Sequence, residues 1–301
     1  MKMAFLFPLF FTKKRIKNEK KRLFAAKFIQ SQRLKQIDFL HNMPKIKEKT
    51  GSIKMMIDAH AHLPVQTPQK AFSLLQKAAL SGIGAVLLNA SCGKDEKEFE
   101  FLASLAQASL QQISFSEKSP TRVFSAVGFH PFEAATILEK DFDFLESFLA
   151  AHPFLGIGEI GLDRTKPFFE KQLYVFERQL QIAKNLHRFV CVHNVKAFSD
   201  MQSFYKRRLF PEKVLFHRFE GKCQTADFLL EKGAFLSLQN PQKKWRSLSE
   251  KRIVLETDSS DFSESFLSLE KVYQQAFDKM ELKEIKIEKN FKEFIDGTYG
   301  I

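Results

Sequence analysis

From Met55 onward the chain alternates short β-like runs with amphipathic helical stretches, and few folds accommodate that pattern. The β-like runs are Met56 to Ala59, Ala85 to Asn89, Val123 to Gly128, Phe154 to Gly158, Phe189 to His193, Lys213 to His217, Ala234 to Leu238 and Arg252 to Glu256. Between them the apolar spacing changes to a helical period over Pro68 to Leu80, Asp95 to Leu110, Glu139 to Ala151, Phe168 to Leu186, Ala197 to Arg208 and Gln224 to Glu231. Strands separated by helices of this length belong in a parallel sheet, and eight of them fit a closed (β/α)8 TIM barrel. An open doubly wound sheet is the alternative, but no glycine-rich phosphate loop follows the first strand. Asn240 to Ser249 is too short for a full helix, so the barrel is expected to be slightly trimmed near its seventh helix.

Residues 1–54 differ from everything after them. The whole chain carries a net charge of +12, and residues 1–55 account for all of it, with 15 Lys and Arg against Glu19, Asp38 and Glu48. The remainder holds 32 basic and 32 acidic residues, so a high pI speaks for a nucleic-acid partner only in the leader. Ala4 to Phe11 is an apolar block broken by Pro8, and its basic residues follow it, whereas a signal peptide places them in front. The leader reads as a membrane-surface or nucleic-acid arm, as a disordered tail, or as sequence upstream of the native start. The last is favoured, because Met55 and Met56 immediately precede the first strand. The chain therefore divides into a basic N-terminal extension, 1–54, and a barrel, 55–301. No run approaches the roughly 18 apolar residues of a membrane-spanning helix. Cys92, Cys191 and Cys223 lack any CxxC spacing and read as reduced thiols of a cytoplasmic protein. A monomer is expected.

In such a barrel the C-terminal strand ends face the active site. The first strand ends at His60 and His62, whose i, i+2 spacing turns both rings to one side. The third leads to His130, the fourth ends at Glu159, the fifth at His193, the sixth at His217, and the eighth at Glu256-Thr257-Asp258. Five of the eight histidines thus sit at strand ends, leaving His41, His152 and His187 elsewhere. Imidazoles and carboxylates in this number exceed what one tetrahedral zinc uses, and they fit two divalent ions sharing a bridging carboxylate. Mixed nitrogen and oxygen donors suit Zn²⁺, Mn²⁺, Co²⁺ or a nitrogen-tolerant Mg²⁺ site. The glycines around Glu159 either let a loop or ligand approach the backbone closely or make tight strand-to-helix turns.

The ordered motifs His60-Ala61-His62, Gly128-Phe129-His130-Pro131, Gly156-Ile157-Gly158-Glu159-Ile160-Gly161-Leu162-Asp163, Val192-His193, His217-Arg218-Phe219-Glu220-Gly221 and Glu256-Thr257-Asp258-Ser259 resemble those of the TatD metal-dependent deoxyribonucleases, within the amidohydrolase-like barrel superfamily. The likeness extends to the helix Gln172 to Leu180 and to Asn290-Phe291. It implies that His60, His62 and Asp258 hold one metal, that His193 and His217 hold the other, and that Glu159 bridges both. His130 would face the substrate phosphate or simply pack beside Pro131, and Glu256 would orient a ligand imidazole. The implied reaction is cleavage of DNA phosphodiesters by a metal-bound hydroxide, progressively from the 3′ end of single strands, with Asp258 accepting the proton of the attacking water. Two departures concern the substrate. The family's arginine-containing element after the fifth strand reads His193-Asn194-Val195-Lys196-Ala197 here, so Lys196 would supply a charge without a guanidinium's fork. The proline-containing loop expected after Asp258 reads Ser259-Ser260-Asp261. Alternatives are a superfamily hydrolase of a small ester, amide, lactone or phosphoester, and a non-catalytic binding member.

Overall fold

Each of the eight β-like runs forms a strand in a computed structural model, which describes residues 55–91, 95–110, 121–249, 251–262 and 265–296. The expectations for the leader and for Cys92 lie outside the described residues. In chain order the elements are β1 (Met56–Ala61), α1 (Pro68–Leu80), β2 (Ile83–Asn89), α2 (Glu96–Leu110), β3 (Arg122–Ala126), α3 (Glu139–Ala151), β4 (Ile157–Asp163) and α4 (Phe169–Asn185). Then follow β5 (Val190–Val195), α5 (Phe198–Lys206), β6 (Val214–Phe216), α6 (Cys223–Glu231), β7 (Phe235–Leu238), β8 (Ile253–Leu255), α7 (Ser265–Met280) and α8 (Glu284–Ile295). A 3-10 turn, Pro131–Thr136, follows β3, and another, Lys243–Leu248, stands where a seventh barrel helix would be, so the trimming is found where the spacing places it.

All strand pairs are parallel, in the orders β1-β2-β3 and β4-β5-β6-β7-β8. The two sheets meet at both edges through single bridges, Ala126 with Gly156 and Ala61 with Ser259. Gly156 N donates to Ser125 O at 3.0 Å on one seam, and His62 N donates to Ser259 O at 2.8 Å on the other. The two sheets of this TIM-barrel-like α/β fold thus join at short bridges rather than full ladders.

The strands are mostly apolar and largely buried because helices cover their outer faces and the barrel fills their inner ones. Ile57, Ala59, Leu87, Phe124, Leu215 and Val254 belong to the inner cluster. Phe291, Phe294 and Ile295 of α8 complete it, with Phe294 set 4.9 Å from Phe189 and 5.4 Å from Phe235. Phe189 and Phe235 stand at the beginnings of their strands, so α8 plugs the N-terminal mouth. Asn290 fixes the plug by donating to the carbonyls of Lys251 and Ile253 at 2.9 and 2.8 Å. The opposite mouth is left to the histidines.

The fourth strand departs from expectation. It runs Ile157–Asp163, later than Phe154 to Gly158, so Glu159 lies inside it instead of at its end. The cause is close packing. A Cβ on Gly158 would sit 2.7 Å from Asn89 Oδ1 and from Cys191 Cβ, and one on Gly161 would sit 1.9 Å from His193 O. The glycines therefore let β4 lie against its neighbours, with a register shift between Ile157 and Ile160. They do not make a turn.

Candidate metal centre

Glu159 lies at the centre of the polar cluster and is almost fully buried. Its Oε1 is 2.6 Å from His193 Nδ1, 2.8 Å from His217 Nε2 and 3.3 Å from His130 Nε2. Its Oε2 is 3.3 Å from His60 Nε2 and 3.7 Å from His62 Nε2. One carboxylate thus divides five imidazoles, two on one oxygen and three on the other. Burial alone would raise its pKa, but His217, His130 and His193 outweigh that and hold it well below the usual carboxylate range.

Asp258 stands beyond β8 in the left-handed region (φ 50°), which Asp tolerates better than most residues. Its N–H bonds to His60 O at 3.0 Å, and its Oδ1 lies 3.8 Å from Nε2 of both His60 and His62. Three sets of donors fall within ligand range of one another: His60, His62 and Asp258; His60, Glu159 and His217; and His130, Glu159 and His193.

The surroundings decide which ring nitrogens are available to a cation. His62 Nδ1 lies 3.0 Å from Asn89 O, so its proton belongs on Nδ1 and Nε2 faces the cluster with a lone pair. In His130, Nδ1 accepts the N–H of Phe132 at 3.2 Å. The neutral ring therefore keeps its proton on Nε2 and acts as a donor, which argues against its serving as a ligand despite its distance from Glu159 and His193. His60 Nδ1 lies 3.1 Å from Asn89 Nδ2, while His60 Nε2 and Asn89 Oδ1 are both buried without partners. Turning the Asn89 amide over gives Nδ1–H an acceptor and leaves the lone pair on His60 Nε2, a buried atom that a cation would satisfy. His193 Nε2 is likewise unpaired, 3.7 Å from Asp163 Oδ2. These donors fit divalent metal binding.

Glu256 accepts a hydrogen bond from Ser237 Oγ and turns Oε1 toward His217 Nδ1, 3.6 Å away. His217 also stacks on His60 with ring centroids 4.0 Å apart. Burial would lower its pKa, but Glu159 and Glu256 outweigh that and raise it well above the ordinary value. His60 is pushed down to about 4, by burial first and by the neighbouring His217 second. Lys196 is exposed behind β5, and no contact ties it to the cluster among the described residues.

Three residues escaped the sequence reading. Asn89 passes there only as the last residue of the second β-like run, yet it contacts two rings from one position at the end of β2. Asp58 accepts from Thr257 N and Oγ1 at 2.9 and 2.6 Å, tying β1 to the turn that carries Asp258. Arg218 places Nη1 3.0 Å from Asp258 Oδ2. Asp58 precedes His60 by two residues and Arg218 follows His217, and that adjacency was the available signal.

A model of the TatD related DNase family matches residues 57–293, most of the chain and every residue of the cluster. The chain belongs to the TatD family. A metal-dependent hydrolase of Escherichia coli, YjjV, is 28% identical over 59% of this chain and 65% of its own length. Its crystal structure superposes with a TM-score of 0.65 at 21% identity, over 82% of this chain and 98% of that one, which shows the shared fold. Human deoxyribonuclease TATDN3 is 28% identical over 68% of this chain and 77% of its own. The 3′-5′ ssDNA/RNA exonuclease TatD of Erwinia tasmaniensis is 28% identical over 51% and 64%.

Proposed function

We propose that this TatD-family metal-dependent hydrolase is a deoxyribonuclease of the 3′-5′ exonuclease type, acting on single-stranded DNA ends with two divalent ions. The observation that carries the reading is the division of five imidazoles between the two oxygens of Glu159, because a carboxylate so placed suits a bridge between two cations. In this reading His60, His62 and Asp258 would hold one ion, His193 and His217 the other, and Glu159 would serve both. The names of the human and Erwinia relatives supply the substrate class.

When bound, such ions acidify a water and neutralise charge on a phosphoryl oxygen. The chain's own residues do the rest. Asp258, with one oxygen toward His60 and His62, accepts the proton of the attacking water. His130, fixed as an Nε2–H donor by Phe132, hydrogen-bonds a phosphoryl oxygen and gains strength as charge develops there. Glu256 faces the His217 ring and favours its charged form, and exposed Lys196, in the loop after β5, would supply a positive charge without a fork.

Purified protein is given 3′- and 5′-labelled single-stranded DNA with Mg²⁺, Mn²⁺, Zn²⁺ or EDTA. Metal-dependent nucleotide release, abolished by EDTA and by Glu159→Ala, is expected, with the label order giving 3′-to-5′ polarity. Full activity in Glu159→Ala would remove the shared-carboxylate site. Metal binding without release of nucleotides would move the function to another ester or amide.

A further inference from the structure

Four cations stand in the loops that follow the strands around this cluster. Arg164 is engaged by both oxygens of Asp200 at 2.7 and 2.8 Å and lies over the Phe169 ring, so its fork is occupied. Lys166 sits over the Phe132 ring, 4.6 Å from its centroid. Lys196 is exposed. Arg218 differs from all three, because it alone among them touches a residue of the ligand clusters.

Its Nη1 donates to Asp258 Oδ2 at 3.0 Å, while Asp258 Oδ1 faces His60 and His62. The next acidic neighbour, Glu220, is 3.9 Å from Nε, beyond hydrogen-bond distance. The side chain remains 53% exposed, so N–H groups beyond the one on Asp258 are open to solvent beside that carboxylate. A guanidinium anchored through one carboxylate to a cation site is held at fixed reach from any anion lodged there. Its planar fork matches a phosphate's two non-bridging oxygens, which a lysine ammonium does not.

We infer that Arg218 is the phosphate-gripping residue of this site and sets its preference for phosphate esters over neutral esters, lactones or amides. The inference rests on the hydrolase reading above and narrows it, giving the fork that Lys196 cannot supply a place in the loop after β6 instead of the one after β5.

The test uses the full chain loaded with Mn²⁺ and compares wild type with Arg218→Gln and Arg218→Lys. Inorganic phosphate is the first probe, titrated calorimetrically, so the readout does not depend on turnover. Loss of a charged, forked contact predicts phosphate binding weakened by roughly 10- to 100-fold in Arg218→Gln, with partial recovery in Arg218→Lys. Metal content and melting temperature should hold in both. The second probe is labelled single-stranded DNA, for which KM should rise more than kcat falls. Unchanged phosphate affinity in Arg218→Gln would overturn the inference. So would loss of metal in proportion to loss of binding, since Arg218 would then only hold Asp258 in place. Arg218-dependent phosphate binding in a protein that releases no nucleotide would support the inference while removing the nuclease reading.

Discussion

A histidine serves a cation only through the nitrogen that has given up its proton, and in this chain Asn89 settles that question for two rings at once. Its backbone carbonyl takes the proton of His62, and its amide faces His60. Asn89→Leu keeps the carbonyl and the approximate volume but removes the amide, so Nδ1–H of His60 loses its acceptor. Metal affinity should fall by about 10- to 100-fold, whereas Asn89→Asp, which still accepts, should retain most of it. Calorimetric titration with Zn²⁺ or Mn²⁺ checks this, and equal affinities in wild type and Asn89→Leu would refute it. A pH prediction follows from His217. Two carboxylates raise its pKa, so in metal-free protein at neutral pH it is an imidazolium, while His60, pushed down to about 4, is neutral. Loading must therefore expel the proton of His217 and none from His60. Because binding releases a proton, affinity rises with pH and falls on acidification. Metal titrations at pH 7 in two buffers of different ionisation enthalpy should show this release, and identical heats in the two buffers would contradict it.

Secondary elements decide how these side chains converge, and α4 does so with two buried glutamines seven residues apart. Gln179 accepts from Phe129 N at 2.7 Å and donates to Phe129 O at 3.0 Å, which clamps the loop carrying His130. Gln172 does the same for Asp163, at 2.8 and 3.1 Å. Gln179→Leu would bury both backbone groups of Phe129 unpaired, at about 2 to 4 kcal/mol, and should lower the melting temperature by about 5–15 °C. A calorimetric scan that shows no change would mean that water replaces the amide. The helix itself was legible from its apolar period and from its likeness to the family's stretch, but the purpose of its glutamines was not, because their partners are backbone groups distant in sequence. The same limit affected β4. On a linear chain its glycines read either as clearance for a loop or ligand or as tight turns, and only the approach of His193 O to Gly161 reveals them as clearance for a neighbouring strand. The strand-end histidines were legible because a period of two and the direction of parallel strands together dictate where they point. Arg218 and Asn89 follow no period, and their roles exist only through contacts across the barrel.

At the scale of the whole chain the charge is unevenly placed, and this separates two kinds of DNA affinity. The residues from 56 onward carry equal numbers of basic and acidic groups, whereas the entire +12 lies in front of them. On the proposed reading, a charge-balanced barrel would grip only one or two phosphates, through bound ions, His130 and Arg218, and so would release few counterions. Its binding of single-stranded DNA should therefore weaken by less than about tenfold over a fourfold rise in salt. A leader with 15 basic residues adds sequence-independent attraction for the same polyanion. The family match begins at residue 57, past the leader. Removing residues 1–54 should therefore leave the melting temperature and the metal content unchanged. It should also flatten the dependence of binding on salt, while hydrolysis at low salt survives. Salt titrations of the intact and shortened proteins, read by anisotropy of a labelled oligonucleotide with Glu159→Ala in both to prevent cleavage, measure the two slopes directly. Coincident slopes would show that the leader does not engage DNA, and a large fall in melting temperature would show that it packs on the barrel.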